Sequence, residues 1–356
     1  MKILIAGQFK NWALEHHYVR YLSRHAQVET YPAEEVFDDF YHHSFFNKIR
    51  FRLGLSDIQQ KIGRELIAKA EASQPDVIWV FKGMRILPSV LKELKSKGFF
   101  LANYNPDHPF LFSSRGSGNA NVTGSIGLYD LHFCYSREVQ RKIESENGIQ
   151  TAFLPFGYEL PEAVFQKATK APEILRACFI GNPDPIRAKY LAVLAKNDVP
   201  LDVYGHGWEK HLVTSANLQI HDAVYGELFW EKMRAYRVQI NIFRPHNEGS
   251  HNMRSFEVPA VGGIMLAPES PEHRQFFSAG AEVFLYRNEA ELIDTTKEIL
   301  SLPSAEAAEV RRKAREKSLE AGYDYEHRAS HAAKVFAEKL FGLQARKPEF
   351  TMTNGG

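Results

Sequence analysis

VIWVF, residues 77–81, is five apolar residues in a row with no polar alternation. A strand with one wet face alternates. An unbroken apolar run of this length therefore predicts a strand covered on both faces, as in a parallel sheet flanked by helices. Outward from this segment, short apolar runs alternate with helix-period stretches. Strands are expected at 2–6 (KILIA), 28–31, 77–81, 100–103, 131–135 and 151–154, with helices at 14–25, 57–72, 87–97 and 137–146. The β-α-β-α order predicts a doubly wound α/β domain.

The pattern breaks at 157–172, where GYELPEAVFQKATKAP holds two prolines, mixed charge and little period, and then restarts. Strands are expected at 176–180, 201–204, 238–243, 263–266 and 283–285. Helices are expected at 186–196, 228–236, 252–261, 289–301 and 305–320, and a last helix at 326–341. The expected division is an N-terminal Rossmann-like domain at 1–158, a linker at 159–172 and a second Rossmann-like domain at 173–325. The helix 326–341 and a mobile tail, 342–356, complete it. Ligands of such sheets sit beyond the carboxyl ends of the strands, so the strand-to-helix loops are the places to search.

Composition narrows the class. The 356 residues carry 44 Lys and Arg against 43 Asp and Glu, a net charge of +1. That balance argues against a protein whose main partner is a nucleic-acid backbone. The 44% apolar content rules out wholesale disorder. No stretch reaches the length of a transmembrane helix, and the opening MKILIA reads as a first strand rather than a signal-peptide core. Cys134 and Cys178 both lie in apolar runs, as small buried hydrophobes do, and this usage suits the cytoplasm. The 15 histidines form no HExxH tract, and His16-His17 and His42-His43 are adjacent rather than helix-spaced, so no metal site is expected.

Several strand-end loops carry candidate chemistry. Gly7-Gln8 follows the first strand, as a tight turn or as a close approach to a ligand. In NYNPDHPF, residues 103–110, two prolines stiffen a loop bearing Asp107 and His108, an acid–base mount or a simple turn cap. SSRGSG, residues 113–118, is a polar stretch that would cover a cleft or lie on the surface. In FIGNPDPIRAK, Gly181 and Asn182 would offer free amides. Arg187 and Lys189 place cations in the first helical turns, either for an anion or merely toward water. Tyr204, Gly205 and His206 end a further strand with close backbone approach. The densest segment, residues 241–263, sets a polar loop with Glu248 and Gly249 before a helix bearing Asn252, Arg254 and Glu257, closed by Gly262-Gly263. A carboxylate there can accept two hydrogen bonds from vicinal ribose hydroxyls, with Arg254 meeting negative charge. The plainer alternative is a solvent-facing Arg–Glu pair.

The run N-x-R-x-F-E-x-x-A-x-G-G, residues 252–263, resembles the CgeB-like (spore maturation protein) branch of the GT-B glycosyltransferases, related to glycosyl transferases of group one. The likeness extends to FIGNPDPIRAKYL, DVYGHGW, FLYRNEAELID and YDYEHRASHAAKVF, and more loosely to NYNPDHPF and YDLHFCYSREV in the first half. It implies two Rossmann-like domains facing a central cleft, with the final helix crossing back to the first. Nucleotide-sugar donor would be held mainly by the second domain, without metal. Glu257 would hold the ribose, and Gly181, Asn182, Arg187 and Arg254 would surround the diphosphate. The first of the two glutamates common in group-one enzymes falls here on Gly249, one step from Glu248, so donor sugar and stereochemistry stay open.

The reading is a glycosyltransferase that moves a sugar from a nucleoside diphosphate to an acceptor hydroxyl. Asp107 would be the base, backed by His108, if the reaction inverts. The rivals are a non-catalytic nucleotide- or sugar-binding protein and a nucleotide-sugar epimerase. The acceptor, whether glycan, protein or small molecule, would meet the N-terminal loops. Among these, FDDFYHHSFFNKIRFR (37–52) is suited to an acceptor, to a membrane surface or to internal packing.

Overall fold

The structure, a computed structural model, describes residues 1–10, 13–112, 116–247 and 249–344. Glu248, residues 113–115 of SSRGSG and the tail from 345 lie outside the described residues. Contacts divide the chain into two units, Met1–Pro155 with Glu326–Gly356, and Phe156–Tyr325.

The first unit holds β1 (Lys2–Ala6), β2 (Gln27–Tyr31), β3 (Val77–Phe81), β4 (Phe100–Asn105), β5 (Leu131–Cys134) and β6 (Gln150–Phe153). They form one parallel sheet in the order β2-β1-β3-β4-β5-β6. VIWVF is its β3, with every residue buried. Ile78 and Val80 join the core on one face with Leu4, Ile62, Leu66 and Leu91. On the other face the fully buried Trp79 ring meets Tyr18 at 5.0 Å, and Phe133 and Phe336 at 5.2 Å each. Phe336 lies on the helix Tyr325–Gln344, which thus covers the first sheet. Both faces of β3 are closed, which is what the unbroken apolar run required.

The second unit holds β7 (Ile174–Ile180), β8 (Leu201–Tyr204), β9 (Leu218–His221), β10 (Tyr236–Ile240), β11 (Met265–Pro268) and β12 (Phe284–Tyr286). Its parallel order is β12-β11-β10-β7-β8-β9, so the winding reverses between β7 and β10. That reversal opens a crevice beyond the carboxyl ends of these two strands.

Two readings are corrected. The stretch expected to be a linker, 159–172, is built into the second unit. Pro161 precedes the helix Glu162–Ala168, and the Arg315 guanidinium covers Phe165 of that helix at 4.0 Å. Tyr158 pairs with Asp324 as an isolated bridge, so the second unit starts earlier than its composition suggests. The second sheet has a sixth strand, β9, whose four residues LQIH are too short and mixed to show a period. The 37–52 stretch, for which no element was expected, is helical, with Ala33–His43 followed by Phe45–Arg52.

Candidate functional site

The site residues of the second unit gather where β7 and β10 end. Asp184 caps the helix Pro185–Lys196, accepting from the backbone of Ile186 and Arg187 at 3.0 Å each. That cap fixes Arg187. Its Nε donates to Ile242 O at 3.3 Å, just past β10, and its guanidinium also donates to Asn182 O at 3.0 Å. From the other side, Arg254 opens the helix Arg254–Ala260 and its Nε donates to Ile180 O, the last residue of β7, at 3.3 Å. The Arg254 guanidinium rests on the Phe229 ring at 4.4 Å and also binds the Glu257 carboxylate. Glu257 is only 8% exposed and Arg254 is half-buried, so the carboxylate of the pair is held in the protein rather than in solvent.

Arg244 joins the group, with its Nε 3.8 Å from Asp184 and Arg187 Nε 3.3 Å from the same oxygen. Three guanidiniums and two carboxylates leave these five side chains with one excess positive charge. Burial first, then Arg244 and Arg254, push Arg187 down to about 10, with Asp184 opposing. Cations crowded this way favour an incoming anion.

Glycine makes the strand ends close. Gly205 has φ +153, and a Cβ there would lie 2.3 Å from Gly181 O, which accepts from Trp208 Nε1 at 2.8 Å. At the far end of the Glu257 helix, a Cβ on Gly263 would lie 2.9 Å from Met233 O. The loops after β7 and β8 are thereby locked together.

The expected free amide of Gly181 is corrected, because Gly181 N–H donates to Tyr204 O at 3.0 Å and continues the sheet. Tyr204 belongs to a different network. Its hydroxyl pairs with that of Tyr236 at 2.8 Å, Tyr236 donates to Asp202 at 2.6 Å, and His221 stacks on the Tyr204 ring at 4.6 Å. Lys189 is exposed and paired with Glu289, away from the arginine cluster, and His206 is exposed beside Tyr225 at 6.4 Å. Asn252 exchanges two amide hydrogen bonds with Asn241, at 3.0 and 2.8 Å, and so positions the loop. The structure brings together Gly181, Asn182, Arg187, Arg254 and Glu257, and holds Lys189, Tyr204 and His206 in other contacts.

Sequence reasoning missed what holds this loop. His251 is fully buried. Its Nε2 accepts from Phe156 N–H at 3.2 Å, and its Nδ1–H donates to Glu272 at 2.5 Å. Glu272 also accepts from Ser250 Oγ at 2.7 Å, and Ser270 Oγ donates to Ser250 O at 2.6 Å. His273 donates from Nδ1 to Pro268 O at 2.8 Å and accepts from Ser255 Oγ at 2.7 Å. Burial pushes His273 down to about 4, consistent with a neutral acceptor nitrogen. The helix Pro271–Phe276 is the clamp, and Ser270-Pro271 is its start signal.

In the first unit, the amides of Gly7 and Gln8 are already used, by Tyr31 O at 3.2 Å and Glu15 Oε1 at 3.0 Å. Asp107 lies beyond β4 and pairs with Lys82 at 2.5 Å. Lys82 follows β3 directly and has a left-handed backbone conformation, φ +59. His108 is 4% exposed and accepts from Phe110 N–H at 3.2 Å. Asp107 is the more accessible of the two. Among the described residues no group of three or more His, Cys, Asp or Glu is arranged to hold a metal ion.

A family model described as glycosyl transferase-like matches residues 187–334, from Arg187 through the Arg254–Glu257 helix. No curated protein matches the chain by sequence. Among solved structures, a sucrose-phosphate synthase from Thermosynechococcus elongatus superposes with a TM-score of 0.67 at 12% identity, covering 96% of this chain and 100% of that one. HepE of Anabaena, in complex with UDP-glucose, gives 0.64 at 13% identity, covering 96% and 100%. A Listeria monocytogenes protein described as a UDP-N-acetylglucosamine 2-epimerase gives 0.57 at 11% identity, covering 97% of each. The chain therefore has the two-sheet α/β fold of GT-B glycosyltransferases and carries a glycosyl transferase-like domain.

Proposed function

We propose that this protein transfers a glycosyl group from a nucleoside diphosphate sugar to an acceptor hydroxyl, and that it belongs to the CgeB-like branch. The observation that carries the reading is the Arg254–Glu257 pair, held at the reversal of the second sheet beside Arg187 and Arg244. Glu257 would accept from the two ribose hydroxyls, and the guanidiniums would meet the charge that develops on the leaving diphosphate. No metal is required in this scheme, because fixed cations supply the counter-charge. HepE, similar in fold, was solved with UDP-glucose, which makes a uridine nucleotide the first donor to try.

Asp107 is the proposed base. In an inverting transfer it takes the acceptor's hydroxyl proton as that oxygen attacks the sugar's anomeric carbon and the bond to phosphate breaks. In a retaining transfer it orients the acceptor. Both cysteines are free and buried, which fits a reducing compartment, and the cytoplasm is the proposed location.

The test is release of nucleoside diphosphate from a panel of nucleotide sugars, with and without candidate acceptors and with chelator present. Acceptor-dependent release that survives chelation supports the proposal. Conversion of donor with no acceptor supports the epimerase reading, and affinity without any turnover supports a binding protein.

A further inference from the structure

The helix Phe45–Arg52 covers the first unit with only part of its surface. Phe51 packs edge-on against Phe37 at 4.8 Å, and Asn47 Nδ2 donates to Phe40 O at 2.8 Å. At about 3.6 residues per turn, the opposite arc carries Phe45, Ile49 and Phe46, with Leu53 just beyond the last turn. Phe45 is 73% exposed, Phe46 75% and Leu53 66%. Arg52 borders this stripe on one side and Arg50 on the other. No residue of the helix is buried, and its first turn holds no acid. From Ser44 to Ser56 the chain has no carboxylate at all. Of the four acids on the preceding helix, Glu34 is taken by Arg85, Glu35 by Phe9 N–H and Asp38 by Lys10, and the fourth, Asp39, is exposed beside Asn47, on the side of the helix away from the ridge.

An apolar ridge with arginine on both flanks is costly to leave in water. Its shape is convex, a ridge of protruding rings rather than a groove, so its partner must yield around it. An anionic bilayer does both, because its acyl boundary accepts the rings while its headgroups meet the guanidiniums. We propose that this helix docks the first unit onto an anionic phospholipid surface. Four apolar side chains and two arginines make the attachment weak and reversible, a means of bringing the protein to the membrane rather than anchoring it there. The inference does not depend on the proposed transfer reaction.

Vesicle co-sedimentation of the full chain tests it, with phosphatidylcholine alone or mixed with phosphatidylglycerol. The two arginines predict partitioning roughly 30-fold stronger on the anionic vesicles, weakening as salt is raised. Phe45→Ser with Phe46→Ser should lower binding at least about tenfold, while leaving thermal unfolding and nucleotide binding unchanged. Equal binding to both vesicle types, or binding indifferent to the double substitution, would overturn the proposal. So would concentration-dependent self-association that the substitution abolishes in the absence of vesicle binding, since the ridge would then serve a second copy of the chain.

Discussion

Arg254 donates from Nε to the carbonyl oxygen of Ile180 at 3.3 Å, tying the helix after β10 to the last residue of β7, 74 positions earlier. The bond spans the reversal of the second sheet and aims the same guanidinium at Glu257. Arg254 and Glu257 thus act as a unit, one facing negative charge and one facing hydroxyls.

Glu257→Ala separates the two roles. Loss of the ribose contacts should weaken UDP binding about 10- to 100-fold, the worth of one or two charge-assisted hydrogen bonds. Inorganic pyrophosphate should bind as well or better, because Arg254 is no longer neutralised. Calorimetry with both ligands decides it, and equal losses for both would remove the ribose assignment.

Arg187→Ala should do the reverse, lowering UDP affinity while leaving that for uridine unchanged within twofold or so. Equal losses for UDP and uridine in this variant would mean that Arg187 does not face the diphosphate.

Two histidines set the acid limit. Burial pushes His132 in the first unit and His273 in the second down to about 4 from 6.5. Between those values the unfolded chain binds protons that the folded chain does not, so stability falls as pH drops from 6.5 toward 4. Each histidine contributes on the order of 2–3 kcal/mol to that loss. Urea midpoints across the range should show the decline, and His273→Gln should flatten part of it. An unaltered slope in that variant would count against a neutral buried His273.

Glu15 works in the opposite sense. Burial pushes its carboxyl up to about 7, against the Gln8 N–H bond that pulls it down. Here the folded state keeps a proton that the unfolded state releases, so stability falls as pH rises from 4.5 to about 7. Glu15→Gln should gain about 2 kcal/mol above pH ~8 and nothing at low pH, read from urea midpoints at the two extremes. A gain of equal size at both would show that charge is not the cause.

The sheet was legible where burial is two-sided. VIWVF could only be an inner strand, and Trp79 meeting rings from three other elements is its consequence. β9 was not legible because a four-residue edge strand, LQIH, buries too little to show a period. The helix Glu162–Ala168 was masked by linker-like composition, although Pro161 is an ordinary helix start. In the site, Arg254 and Glu257 announced themselves by helical spacing. Their support did not, because His251 finds Glu272 across 21 residues, on a helix of six residues that is too short to show a period. The partners of Tyr204 were not legible either, because its hydroxyl meets that of Tyr236 from a strand 32 residues away.

The most direct measurement is a crystal structure of the protein soaked or co-crystallised with UDP. The diphosphate should lie against Arg187 and Arg254, with the ribose hydroxyls on Glu257. UDP ordered elsewhere, with the Arg254–Glu257 pair untouched, would contradict it.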